Sequence, residues 1–164
     1  MKISLRWFSK TFGLTKEKTF KMANIYHNFP VKHSPSKVFE NIVTAQGLDN
    51  WWTKKAEVNP ELGGIYLLDF GPGYVWKAKV SQFQPAKEFE LTFTEADADW
   101  MGTRVGFQLN GRDNKTDVVF YHCGWPAEND HFKNSSYCWA MYLRILKRFT
   151  ERGEQVAYER RLDV

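Results

Sequence analysis

Hydrophobic and polar positions follow two different periods along this chain, and the change between them divides it. From Asn24 to Cys123 the apolar residues alternate in short runs, the period-two pattern of strands with one face buried. Ile25, His27, Phe29 and Val31 share the first such face. Later runs place Tyr66, Leu68 and Phe70, then Trp76, Ala78 and Val80, then Phe89, Leu91 and Phe93, then Val105, Phe107 and Leu109, then Val118, Phe120 and His122 on inward faces. Gly63-Gly64, Gly71-Pro72-Gly73, Gln84-Pro85 and Asn110-Gly111 punctuate them as turns, and Ala96 to Met101 reads as a loop. The outward positions of the Glu88 to Thr94 run are Glu88, Glu90, Thr92 and Thr94, so the sheet has a wet face.

Between the first run and the rest, the pattern predicts two short helices. Ser34 is a good N-cap with Pro35 at the first helical position, and Val38, Phe39 and Ile42 form the apolar stripe. Thr44 can cap a second helix that runs through Gly47-Leu48 to Trp51-Trp52. Consecutive tryptophans cannot face the same way, so one anchors the helices on the sheet and the other lies near a cavity mouth or the surface. From about His131 to Arg152 the period becomes helical, with Tyr137, Trp139, Met141, Tyr142, Leu143, Ile145, Leu146 and Phe149 in a wide apolar stripe and Gly153 as C-cap. The prediction is an α+β fold: a curved antiparallel sheet of six to seven strands wrapped around a long C-terminal helix, with two short helices after the first strand. A straight helix cannot follow a curved sheet along its length. Space is therefore left between them, and side-chain size decides whether it is filled.

At 164 residues the chain is long enough for one domain with a continuous core. Seven Trp, seven Tyr and thirteen Phe fit either an aromatic core or a lined cavity. The net charge of +4 is concentrated at the start, where Lys2, Arg6, Lys10, Lys16, Lys18 and Lys21 face only Glu17. The remainder is close to neutral, which argues against a nucleic-acid surface. No stretch approaches the roughly 18 apolar residues of a membrane span. Residues 1–22 read as a basic extension, disordered or loosely docked, 23–155 as the folded domain and 156–164 as a tail. Arg6, Ser9 and Lys10 interrupt any secretory apolar run, and Met22 stands just before the first strand as a candidate start. Cys123 and Cys138 are too few for a disulfide framework and read as reduced thiols in a cytoplasmic protein.

The chain has no Gly-rich phosphate loop, no serine nucleophile elbow, no HExxH and no CxxC. No cofactor or metal is expected. His122 and His27 are the histidines on inward faces, each readable either as a neutral core histidine or as a group that works in a pocket. As a general acid or base, His122 would need a polar partner such as Tyr66, Tyr142 or Arg104, although alternation points Arg104 outward. Cys123 alternates away from His122, which removes a Cys/His dyad. The candidate lining of the cavity is His122, Trp139, Trp76, Tyr66, Phe93, Phe107, Trp52, Tyr142 and Phe120.

Several short motifs occur in order: Ser34-Pro35-x-x-Val38-Phe39, Gly47-Leu48-x-x-Trp51-Trp52, Gly63-Gly64-x-Tyr66, Gly102-Thr103-Arg104-Val105, Gly124-Trp125, and Trp139-Ala140-x-x-Leu143-x-x-Leu146-Lys147 ending Glu151-x-Gly153. Over residues 24–153 this series resembles bacterial proteins similar to the C-terminal domain of the activator of the heat-shock-protein ATPase, in the START-like (SRPBCC) superfamily. The resemblance implies the helix-grip fold. It also implies a choice of roles, because relatives on this scaffold include lipid carriers, cyclases and chaperone cofactors. Binding of a small apolar or aromatic molecule in the cavity comes first. A cyclase- or hydrolase-type enzyme using the same pocket is the alternative, and an interaction protein with a chaperone partner, marked by an exposed apolar patch at Trp51-Trp52 and Trp100-Met101, is the third. A monomer or a homodimer is compatible with all three.

Overall fold

The computed structural model describes residues 22–163; apart from Met22, the basic extension lies outside the described residues. Strands β1 (Ala23–Val31), β2 (Lys55–Val58), β3 (Ile65–Asp69), β4 (Val75–Gln84), β5 (Glu88–Glu95), β6 (Arg104–Arg112) and β7 (Lys115–Trp125) form one antiparallel sheet. Its order is β1-β7-β6-β5-β4-β3-β2, so β2 to β7 make a meander and β1 adds to the far side of β7. Helices α1 (Pro35–Val43) and α2 (Ala45–Trp51) follow β1, and α3 (Asp130–Arg152) follows β7. The open, curved sheet holds α3 in its concave side.

Local chemistry fixes these boundaries. Ser34 accepts from the Lys37 N–H ahead of Pro35. Thr44 serves both short helices: its backbone N–H and hydroxyl donate to the Glu40 carbonyl at the end of α1, while its Oγ1 accepts from the Gly47 N–H at the start of α2. A side chain at Gly47 would strike the backbone of Asn41. Asn41 is itself buried, donates to Thr150 Oγ1 at 3.0 Å, and its carbonyl receives the Trp51 indole N–H at 3.0 Å. The helix pair is thereby tied to α3. Asn129 caps the start of α3, and Gly153 ends it with φ of 67°, a left-handed conformation that glycine adopts at little cost.

Two details depart from the periodic reading. β2 is not among the alternating runs, because Lys55-Ala56-Glu57-Val58 alternates over only four residues and fully buries only Ala56. The turn expected at Asn110-Gly111 lies at Asp113-Asn114, both at positive φ (48° and 60°), with Arg112 paired to Lys115 across it. Gly111 lies inside β6, paired with Thr116, and a Cβ there would meet the Pro35 ring at 2.7 Å.

The convex face of the sheet holds a polar cluster. Glu90, on β5, is buried and accepts from Ser81 Oγ at 2.7 Å and from the Tyr121 hydroxyl at 2.8 Å, with Arg104 Nη1 at 3.4 Å. Glu90 pairs with Gly106 and Gly106 with Tyr121, so the tyrosine reaches across the glycine. A Cβ on Gly106 would collide with the Tyr121 ring.

Candidate functional site

The concave side is built from rings. On α3, His131, Ser135, Cys138, Trp139 and Tyr142 recur at helical spacing and face the sheet. Trp52 just past α2, Phe70 after β3, Tyr74, Trp76 on β4, Asp97 and Trp100 in the β5–β6 loop, and Tyr158 near the C-terminus complete the wall of a cavity of about 300 Å³. Five of these rings form a closed circuit. Trp139 to Trp52 is 5.0 Å between centroids, Trp52 to Phe70 5.4 Å, Phe70 to Trp76 5.1 Å, Trp76 to Trp100 4.7 Å and Trp100 back to Trp139 5.9 Å.

His122 lies behind that circuit and holds it. Its side chain is fully buried. Nδ1 accepts the indole N–H of Trp139 at 3.0 Å, so Nδ1 carries no proton. Nε2 lies 2.9 Å from Thr103 Oγ1, and the Thr103 hydroxyl donates to the Trp100 carbonyl at 2.7 Å. The hydroxyl proton is committed, so Nε2–H donates to Thr103. This network assigns a single neutral tautomer. Burial, with a smaller contribution from His131, pushes the imidazole pKa down to about 3. The ring also packs 4.4 Å from Trp100 and 4.6 Å from Trp125. His122 thus positions Trp139 directly and Trp100 through Thr103.

Of the residues named from sequence, Trp52, Trp76, Trp139 and Tyr142 border the cavity together. His122, Tyr66, Phe93, Phe107 and Phe120 lie in the buried layer behind it. Phe93 touches Trp76 and Trp100, Phe120 touches Trp139, and the Tyr66 hydroxyl donates to the Val43 carbonyl at 2.6 Å. Arg104 points outward to Glu90, and Cys123 Sγ faces Tyr26 on the outer side at 3.5 Å. His27 borders a separate groove between β1 and α3. Trp51, Trp52 and Trp100 are all buried, leaving only Met101 of that set exposed.

The sequence-based lining leaves out Phe70, although it lies on an inward face, and Trp100, which is expected in an exposed patch, together with Asp97, His131 and Tyr158. One signal was available for Trp100: a tryptophan amid acidic loop residues has to bury its ring somewhere. Tyr158 is brought in by a 3-10 turn, Tyr158–Asp163, whose Arg161 is 3% exposed. The Arg161 guanidinium donates to the carbonyls of Asp49, Thr53 and Val156, and the Tyr158 hydroxyl donates to the Phe70 carbonyl at 2.7 Å.

The charge on the wall is sparse. Burial pushes the Tyr142 phenol up to about 12 and raises the Cys138 thiol and the Tyr158 phenol as well, so these groups stay protonated at neutral pH. Among the described residues Asp97 is the one carboxylate on the wall, and neither lysine nor arginine borders it. His131 Nδ1 lies 3.1 Å from Asp99 Oδ2 at the rim. The Trp100 indole N–H is buried without a hydrogen-bond partner among the described residues. No group of three or more His, Cys, Asp or Glu among the described residues could hold a metal ion, and no helix there is long and apolar enough to cross a membrane.

A curved antiparallel sheet gripping a C-terminal helix across an aromatic cavity is the helix-grip architecture of START-like (SRPBCC) proteins. The model of the family described as "Activator of Hsp90 ATPase homolog 1-like protein" matches residues 32–151, and the chain belongs to that family. The Aha1 dimer from Colwellia psychrerythraea, solved in solution, is 31% identical with a TM-score of 0.74, the match covering 81% of this chain and 99% of that one. A Mesorhizobium loti protein superposes with a TM-score of 0.72 at 17% identity, over 80% of this chain and 99% of its own. An HSP90 activator from Plasmodium falciparum gives a TM-score of 0.61 at 16% identity, over 74% and 91%. No curated protein matches the chain.

Proposed function

We propose that this protein binds a small apolar or aromatic molecule in the cavity between the sheet and α3. The observation that carries this reading is the closed circuit of five aromatic rings around a cavity of about 300 Å³. That volume is at the lower end of ligand pockets, which suits a molecule of one or two rings rather than a long acyl chain. Desolvation of the ring faces supplies the driving force. Native mass spectrometry of protein purified from its host, followed by extraction of retained molecules, tests the proposal. A stoichiometric ligand lost in Trp139→Ala or Trp100→Ala is expected; a cavity that stays empty in the native host and takes up no aromatic fragment refutes it.

Two observations favour other readings of the same domain. An imidazole oriented by a carboxylate is the arrangement of a general base, and His131 with Asp99 stands at the cavity rim with Ser135 one turn further along α3. This supports the enzyme alternative, and a His131→Gln protein should then turn over no retained substrate while still binding it. The relative from Colwellia psychrerythraea is a dimer, and the family takes its name from an Hsp90 ATPase activator. Those likenesses support a homodimer and a chaperone partner, which light scattering and a pull-down with an Hsp90-type ATPase would check.

A further inference from the structure

The electrostatics of the aromatic circuit narrow the ligand class, on the premise that the cavity is a binding site as proposed above. The face of an indole or benzene ring is negative, and a cation is attracted to it within about 6 Å of the centroid. A closed circuit with neighbours 4.7 to 5.9 Å apart keeps all five centroids within that reach of one point. The wall adds the Asp97 carboxylate and, among the described residues, no lysine or arginine, with His131 held by Asp99 at the rim. The Asp97 carboxylate makes no ion pair among the described residues, whereas neighbouring Asp99 is already engaged by Asn129 and His131. The nearest buried cation, Arg161, sits over Tyr158 with its Cζ 5.2 Å from the ring centroid and is saturated by backbone carbonyls. It does not border the cavity. The wall's acceptors for a primary ammonium are Asp97, Asn134, Ser135 and tyrosine hydroxyls, set in a lining that is mostly apolar. An N-alkylated head has few hydrogen bonds to lose and spreads its charge over methyl groups that pack on rings.

We infer that the cavity takes an organic cation with an N-alkylated ammonium head, its charge inside the aromatic circuit and facing Asp97. Isothermal titration with benzyltrimethylammonium and with its uncharged carbon isostere, neopentylbenzene, separates this inference from the premise. The cation should bind at least tenfold more tightly. Asp97 is exposed, so Asp97→Asn should leave folding intact; it should cut the cation's affinity several-fold and leave the isostere unchanged. An isostere that binds as tightly as the cation, or an Asp97→Asn protein with an undiminished preference for charge, overturns the inference while the apolar site stands. Binding of neither probe removes both.

Discussion

His122 offers a quantitative test, because its two hydrogen bonds admit one protonation state. A proton on Nδ1 would oppose the Trp139 indole N–H, 3.0 Å away, and no acceptor would replace it. The folded pKa of about 3 lies below the ordinary value of 6.5, so the unfolded chain binds more protons between those limits. This contribution to stability is complete above pH 6.5 and is lost as the pH falls toward 3. Each unit of the difference is worth about 1.4 kcal/mol, so falling from pH 7 to pH 5 should cost about 2 kcal/mol from this residue alone. Urea unfolding of the wild type and of His122→Phe, followed from pH 7 to pH 5, measures it. The variant keeps a ring in place but strands the Trp139 N–H, a loss of about 1–3 kcal/mol at pH 7. Its deficit should then shrink by about 2 kcal/mol at pH 5, because only the wild type pays for the buried proton. Carboxylates are common to both proteins and cancel in the difference. A deficit constant across this range would mean that His122 titrates near its ordinary value, and the single-tautomer argument would fail.

Other expectations follow from packing. Gly106→Ala forces the Tyr121 ring off Glu90 and should cost about 1–3 kcal/mol by overpacking, read as a lower midpoint in urea. Arg161→Ala removes donors from three carbonyls and frees Tyr158 from the cavity wall; a loss of about 2–4 kcal/mol and weaker binding of any retained ligand are expected in thermal unfolding and native mass spectrometry. Thr44→Val should lower thermal stability by about 1–2 kcal/mol, because one hydroxyl ends α1 and begins α2.

Legibility in the sequence followed from how local each determinant is. Ser34, Thr44 and Gly153 act on their own helix ends, and a few residues of context suffice to read them. β2 exists because β3 and α2 offer it a place, which four residues with one buried side chain cannot announce. Period two likewise told which face of a strand points inward, and it placed Trp76, Phe93, Phe107, Phe120 and His122 on one side correctly. It does not resolve depth. A tryptophan on β4 reaches the cavity, whereas Phe107 and Phe120 on central strands are covered by Trp51 and Trp139. Trp100 belongs to a loop with no period, and Tyr158 arrives from beyond the family's matched residues, 32–151. Both are put in place by partners distant in sequence.

The aromatic circuit also makes the protein its own optical reporter. Four of its five members are indoles, and chromophores separated by about 5 Å exchange excitation and share their electronic transitions. Excitation absorbed anywhere on the circuit would drain to its lowest-energy member, and a guest that rotates or shields one ring would alter the signal of all. Near-ultraviolet circular dichroism and indole emission should therefore register occupancy without a dye or label. Since His122 grips Trp139 and, through Thr103, Trp100, the same spectra would follow the imidazole as it takes up a proton.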